Sequence, residues 1–319
     1  MNLPHAPELR ARPRLAALVE RARTHPALRT AIVYPCSAEA IGGALMARRY
    51  GVIEPVLVGP RAGIASAARA AGLETADCEF IDTIDDPVVA ATTAVALARA
   101  GAVGALMKGS LHTEELLRAV ADRQSGLRIP GRTRRLSHVF WIDVPTFPRS
   151  IMLTDCVVNI APSLTTKRDI VQNAFELARL LGYDQPKLAI VSATENPNPA
   201  LASTIEAAAL KAMAAHGEIT GGLVDGPYAF DLAVSPEAAR IKGIASPVAG
   251  NADILLLPGL EAGNILYKAL IYMADALCAG VIIGTRMPVI LTSRADSVLS
   301  RLASCALATI QGTHGDQQR

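Results

Sequence analysis

With 319 residues the chain is long for one domain and comfortable for two, so it can bury sizeable cores without disulfide or metal staples. Its 31 Lys and Arg against 29 Asp and Glu leave a formal charge of +2 with the signs mixed along the chain, which excludes a nucleic-acid footprint and a polybasic membrane anchor. The cysteines Cys36, Cys78, Cys156, Cys278 and Cys305 are far apart and never form C-x-x-C, so neither a disulfide framework nor a zinc knuckle is expected, and a reducing cytoplasm fits.

The amino terminus alternates arginine, proline and alanine without an apolar stretch, so no secretory signal is expected. The longest apolar run, near 269–284, is interrupted by Asp275 and falls short of the roughly 20 residues that a spanning helix needs. Leu15, Leu18, Val19 and Ala22 predict a short amphipathic helix. Strand and helix then alternate. Residues 30–34 predict a strand, 37–50 a helix capped by Ser37, 55–59 a strand, 61–71 a helix, 78–81 a strand, 87–100 a helix, and 102–107 a strand that breaks at Lys108-Gly109-Ser110. Helices between strands at this spacing are right-handed crossovers, so the strands should be mainly parallel and covered on both faces.

A basic loop from Arg128 to Arg135 leads into two strand-like runs, 137–143 and 150–153, whose connection through Pro145 and Pro148 suits a hairpin. The domain boundary is placed near it. Thr166 and Asp169 then suggest a capping box for a helix to Leu181. Strands follow at 187–192 and 219–224, with a long alanine-rich helix between them. A buried strand at 252–257 precedes a helix through Met273, a strand at 281–283, and a last apolar strand, Val289-Ile290-Leu291. That strand gives way abruptly to Thr292-Ser293-Arg294-Ala295-Asp296. In an open α/β sheet ligands bind outside the carboxyl ends of strands, and a following helix lends donors to an anion.

No G-x-G-x-x-G follows the first strand, and residues 104–110, GALMKGS, place lysine before glycine rather than after it, unlike a Walker A loop. Neither H-E-x-x-H nor G-x-S-x-G is present. What remains is a set of polar residues just beyond predicted strand ends: Lys108 and Ser110, Arg134 and Arg135, Asp155, Glu195 and Asn196, Asn264 with Lys268, and Ser293, Arg294 and Asp296. Several are cations or strong donors, which suits a phosphorylated ligand. None forms a carboxylate cluster spaced for a divalent metal.

The chain resembles the phosphate acetyltransferase and phosphate butyryltransferase family. The segments that carry the resemblance are TDCVVNIAPSL at 154–164, SPVAGNADILLLPGLEAGNILYK at 246–268 and MPVILTSRADS at 287–297. ALMKGSLHTEELL at 105–117 and RRLSHV at 134–139 look like the butyryltransferase branch. The resemblance implies acyl transfer between coenzyme A and inorganic phosphate, acetyl or butyryl, with no bound cofactor or metal. It also implies two doubly wound α/β/α domains flanking a cleft, like the isocitrate and isopropylmalate dehydrogenases, with the last helix returning to the first domain. The corresponding division is 1–148 plus 286–319 and 149–285. A cytoplasmic homodimer is the implied assembly, and relatives occur joined to an enoyl-CoA hydratase domain.

The candidate catalytic residues are Ser293, Arg294 and Asp296. Arg294 would hold phosphate or the developing negative charge, Ser293 would donate its hydroxyl to the same oxyanion, and Asp296 is a candidate base. The similar acetyltransferases carry their proposed base at the position of Ser300, so either Asp296 substitutes for it, or solvent deprotonates the thiol, the site works through cations and positioning, and Asp296 merely charges the start of the next helix. Lys108, Ser110, Arg135, Asn264 and Lys268 are the candidate substrate-binding residues, Asn264 and Lys268 lying one helical turn apart. Arg128, Arg132 and Arg134 form a solvated loop face or contact the nucleotide end. His138, alternating with apolar neighbours, is expected to be structural, and Cys156 a packed small residue rather than a nucleophile. Two other functions compete: a hydroxyacid-type dehydrogenase sharing the architecture, and a catalytically reduced acyl-CoA-binding partner of an enoyl-CoA hydratase.

Overall fold

A computed structural model of the protein describes residues 7–131, 133–293 and 296–315. In chain order the elements are α1 (Pro7–Arg10), α2 (Pro13–Ala22), β1 (Leu28–Val33), α3 (Ala38–Arg49), β2 (Ile53–Gly59), α4 (Arg61–Ala70), β3 (Glu79–Asp82), α5 (Pro87–Arg99), β4 (Ala105–Lys108) and α6 (Thr113–Ala121). There follow β5 (Ser137–Asp143), β6 (Ile151–Thr154), α7 (Leu164–Leu180), β7 (Lys187–Val191), α8 (Ala202–Ala215), β8 (Leu223–Tyr228), α9 (Phe230–Val234) and α10 (Pro236–Ile241). The chain ends with β9 (Ile254–Leu256), α11 (Leu260–Met273), β10 (Leu277–Ile283), β11 (Val289–Ile290) and α12 (Val298–Gly315). It divides into two compact units, one formed by Met1–Arg132 with Leu277–Arg319 and the other by Thr133–Ala276.

The first unit has the strand order β3-β2-β1-β4-β11-β10, parallel at every pair except β10 with β11. Two helical layers cover it: α12 packs with α2 and α3, and α5 packs with α6 and with β1, β2 and β4. The buried residues of α2 are Leu15, Leu18, Val19 and Ala22, the four that its periodicity singled out. Ser37 caps α3, its hydroxyl accepting the Ala40 N–H at 3.3 Å. From Leu302 to Ile310 every residue of α12 is fully buried, which explains why that helix is apolar on all sides rather than along one stripe.

The second unit has the order β5-β6-β9-β7-β8, with β5 antiparallel to β6 as the hairpin reading expected and the remaining pairs parallel. Some local readings need correction, among them that β10 begins four residues before the strand expected at 281–283 and that α9 and α10 were not expected. The cap of α7 is Ser163, whose hydroxyl accepts the Thr166 N–H, while Asp169 instead accepts the Arg135 N–H at 3.0 Å. The strand expected at 219–224 is β8, four residues later at each end, because Gly226 and Pro227 lie inside it where pattern reading ends a strand. The helix α6 went unpredicted; it opens on a capping box in which Glu115 Oε2 accepts the His112 N–H at 2.6 Å. Among the described residues no helix is long and apolar enough to cross a membrane.

Candidate active site

Strand order in the first unit reverses at β1. The chain proceeds outward from β1 through β2 to β3, then returns through α5 to place β4 on the other side of β1. In open α/β sheets ligands bind at the carboxyl ends of the strands beside such a reversal point. Gly109 lets the loops after β1 and β4 approach: a Cβ there would lie 2.4 Å from the Val33 carbonyl oxygen and 2.7 Å from that of Tyr34. The backbone N–H groups of Gly109 and Ser110 donate to those same two carbonyls, at 2.9 Å each.

Next to β4 runs β11, parallel, with Leu106 opposite Val289 and Met107 opposite Ile290. The segment with Gly109 and Ser110 follows β4, and the turn at Thr292 and Ser293 follows β11. Lys108 ends β4 and Ser110 follows it, while Ser293 and Asp296 follow its parallel neighbour β11, although 183 residues separate Ser110 from Ser293 in the chain. Lys108 is only 2% exposed, and its Nζ lies 3.5 Å from the Gly109 carbonyl. Ser110 Oγ is enclosed and has no hydrogen-bond partner among the described residues. A buried hydroxyl left in that state calls for a partner from outside the protein, either water or a ligand.

The turn after β11 is held by its own side chains. Asp296 Oδ2 accepts the Ser293 N–H at 2.6 Å, and the Asp296 N–H donates to the Ser293 carbonyl at 3.2 Å. Ser297 caps α12, its hydroxyl accepting the Ser300 N–H at 3.1 Å and lying 3.2 Å from Ser300 Oγ. The Ser300 hydroxyl is thus engaged in this local cap. Arg294 lies outside the described residues, as does Arg132. One residue that sequence reasoning overlooked lies beneath this turn: Arg301, 1% exposed, which donates to Thr292 and to Ser293.

In the second unit the start of β5 and the start of α11 meet at the loop after β6. Asn159 Nδ2 donates to the Leu136 carbonyl at 2.9 Å and to Asp155 Oδ2 at 2.6 Å. Gly263, in the first turn of α11, sits so close that a Cβ on it would be 2.9 Å from both the Asp155 carbonyl oxygen and Cys156 Sγ. Arg135 has its backbone pinned between Asp169 and Asn173, and its side chain is exposed. Asn264 is half-buried, and Lys268 is exposed with Nζ 6.0 Å from the Tyr267 ring centroid. Burial raises the Asp155 carboxyl above its usual range, against the opposing effect of the N–H groups of Val158, Val157 and Asn159 that it accepts.

Other candidates are engaged structurally. Arg134 bonds Glu176 and Asn173, and Arg128 donates to the Ala121 carbonyl at 2.8 Å. His138 is wholly buried in β5, edge-on to Phe140 with ring centroids 4.3 Å apart. Cys156 is wholly buried; desolvation, then the Asp155 charge, pushes its thiol well above the ordinary range, which removes the thiolate that a nucleophile needs. Among the described residues no three His, Cys, Asp or Glu side chains gather as a metal site.

Residues 81–309 match the family described as Phosphate acetyl/butaryl transferase. The chain is 49% identical over 293 residues to a phosphate acetyltransferase of Rhizobium meliloti, covering 92% of each. To the phosphate butyryltransferase of Clostridium acetobutylicum it is 41% identical over 266 residues, covering 83% of this chain and 86% of that one. A branched-chain phosphotransacylase crystal structure from Enterococcus faecalis V583 superposes with a TM-score of 0.77 at 32% identity, over 89% of this chain and 99% of that one. On the match across most of its length, this chain belongs to the phosphate acetyl/butyryl transferase family.

Proposed function

We propose that acyl transfer between coenzyme A and inorganic phosphate takes place at the adjoining carboxyl ends of β4 and β11, with Ser293 and Arg294 as the catalytic pair. The transferase activity itself follows from family membership. What supports this location is that Lys108, the unpartnered Ser110 hydroxyl and Ser293 end or follow two neighbouring parallel strands.

Starting from acyl-CoA, a phosphate oxygen attacks the thioester carbonyl carbon and the carbonyl electron pair moves onto oxygen. Collapse of this tetrahedral oxyanion breaks the carbon–sulfur bond, and the departing thiolate takes up a proton. In reverse, the thiol loses its proton, sulfur attacks the acyl phosphate and phosphate leaves. We assign the oxyanion to the Ser293 hydroxyl and the Arg294 guanidinium, and the phosphate to Lys108 and Ser110. Asp296, already accepting the Ser293 N–H, is assigned to bracing the turn. Arg135, Asn264 and Lys268 are assigned to the coenzyme A side of the substrate. We take the two compact units as the two domains of the family architecture, and infer a cytoplasmic homodimer that works without a resident cofactor or metal.

The test is purified protein with acetyl-CoA or butyryl-CoA, with and without inorganic phosphate, followed by release of free thiol. Phosphate-dependent release is expected, and the ratio of the two rates gives the acyl preference. If neither substrate releases thiol, the assignment fails, and a chain that binds acyl-CoA without turnover would be the partner of an enoyl-CoA hydratase. Asp296→Asn keeps an acceptor oxygen for Ser293, so a rate within about tenfold and an unchanged pH profile are expected; loss of one limb of that profile would make Asp296 the base.

A further inference from the structure

Among the described residues Arg301 is the largest side chain that is fully enclosed. An enclosed guanidinium is unfavourable unless its donors are met. Here Nη1 donates to Thr292 Oγ1 at 2.8 Å and Nη2 to the Ser293 carbonyl at 2.9 Å, while Nε has no partner among the described residues. Burial lowers the guanidinium from its ordinary range, with Asp296, Cys305 and Glu39 acting in the opposite sense. Room for the side chain comes from α3. A Cβ on Gly43 would stand 2.5 Å from Arg301 Cδ and 2.7 Å from its Cβ, so glycine is required at a helix-interior position where it is otherwise unfavourable.

A buried cation, an unfavourable glycine and a fork of two hydrogen bonds all serve one turn. Both backbone polar groups of Ser293 are fixed, the N–H by Asp296 and the carbonyl by Arg301 together with the Asp296 N–H. We propose that Arg301 is a positioning residue for acyl transfer: from beneath the turn it holds the Thr292 hydroxyl and the Ser293 carbonyl so that the Ser293 hydroxyl meets the anion in one orientation. This rests on the site assigned above. Lysine would keep the charge, but its single nitrogen lacks the planar fork that reaches Thr292 Oγ1 and the Ser293 carbonyl together.

The experiment is Arg301→Lys in the full chain, assayed with acyl-CoA and phosphate, with kcat corrected for the folded fraction from thermal unfolding. A fall in kcat on the order of 100-fold is expected from misplacement of the turn, with KM for acyl-CoA within about twofold. Partial recovery of Arg301→Ala activity on adding millimolar guanidinium supports the same role, since a residue needed only for folding would give no such recovery. A corrected kcat for Arg301→Lys within about twofold of the unaltered chain overturns the proposal. Should neither variant fold, Thr292→Val removes one arm of the fork at nearly constant volume; a kcat drop of about tenfold at unchanged melting temperature is expected, and an unchanged kcat overturns the proposal. The unaltered chain is run in parallel. Its failure to release thiol would overturn the transferase site on which this rests, whereas an active chain beside unaffected variants removes only the role of Arg301.

Discussion

Arg301 Nη2 donates to the carbonyl of Ser293 at 2.9 Å, reaching back eight residues from α12 to the turn after β11. The helix that fills the centre of the first unit therefore also sets the shape of the turn at its amino end. Because α12 is fully buried from Leu302 to Ile310, that turn is anchored to a closely packed part of the unit. Rigid support of this kind is what a site needs when a displacement of about 1 Å is costly to rate.

Gly43→Ala tests the space that Arg301 occupies. The new methyl would sit 2.5 Å from Arg301 Cδ, so the side chain or α3 must shift. A loss of about 1 to 3 kcal/mol is expected in urea unfolding, as for other overpacked cores. The activity of the folded fraction should fall as well, because the guanidinium moves with its stem.

Ser293→Ala removes only a hydroxyl. The Ser293 N–H and carbonyl are held through the backbone by Asp296 and Arg301, so thermal unfolding should change little. Loss of one oxyanion donor should lower kcat roughly 100- to 1,000-fold. Steady-state kinetics that return a kcat near that of the unaltered chain would remove Ser293 from the reaction.

Asp225, in β8, gives stability a pH dependence. Burial acts to raise its carboxyl, but Lys211, Ser246, Tyr228 and the Gly226 N–H together outweigh burial and leave it below the usual range. A carboxyl depressed in the folded state stabilises fully above its unfolded value near about 4, and that contribution is lost as pH falls through the lower folded value. Lys211 is 55% exposed, so its ion pair is screened and most of the contribution comes from the other donors. Asp225→Asn should therefore cost about 1 to 2 kcal/mol near neutrality, with the gap to the unaltered chain closing below about pH 4 in chemical unfolding. A gap independent of pH would contradict this origin.

Cys156 should resist alkylation. Its burial and raised thiol leave little thiolate at pH 8, and Cys36, half-buried with a thiol pushed up to about 11, should also react slowly. Mass spectrometry of the native protein after iodoacetamide treatment is expected to show Cys156 unlabelled. Labelling of Cys156 that proceeds in step with loss of activity would restore it as a nucleophile.

Much of the scaffold was legible because its signals are local. The i, i+3, i+4 spacing of Leu15, Leu18, Val19 and Ala22 marks the buried face of α2, and short β-branched runs broken by capped helices mark β1 to β4. The polar breaks after β4 and β11 could also be seen, and the matching segments around them pointed to the family. Less was visible where structure depends on contacts distant in sequence. The position of β8 depends on a strand that tolerates Gly226 and Pro227, while Asp225 ties it to Lys211 and Ser246. The helix α6 is nine residues long and its cap is a histidine, so the start signal is weak.

Arg301 shows the same division within the candidate site. A lone arginine in the run from Val298 to Ile310 was a signal that could have been noticed, since a cation among buried apolar residues must find acceptors. Which acceptors it finds could not be deduced from spacing, because they depend on α3 offering Gly43 and on β11 ending beside α12. The order of residues by itself determined the alternation of strands and helices and the mainly parallel character of the sheet, since each follows from short-range periodicity and turn chemistry. Only the tertiary structure decided that Ser110 and Ser293 follow neighbouring strands and that a buried guanidinium holds the second of them, because strand order and interhelical packing join residues that are far apart along the chain.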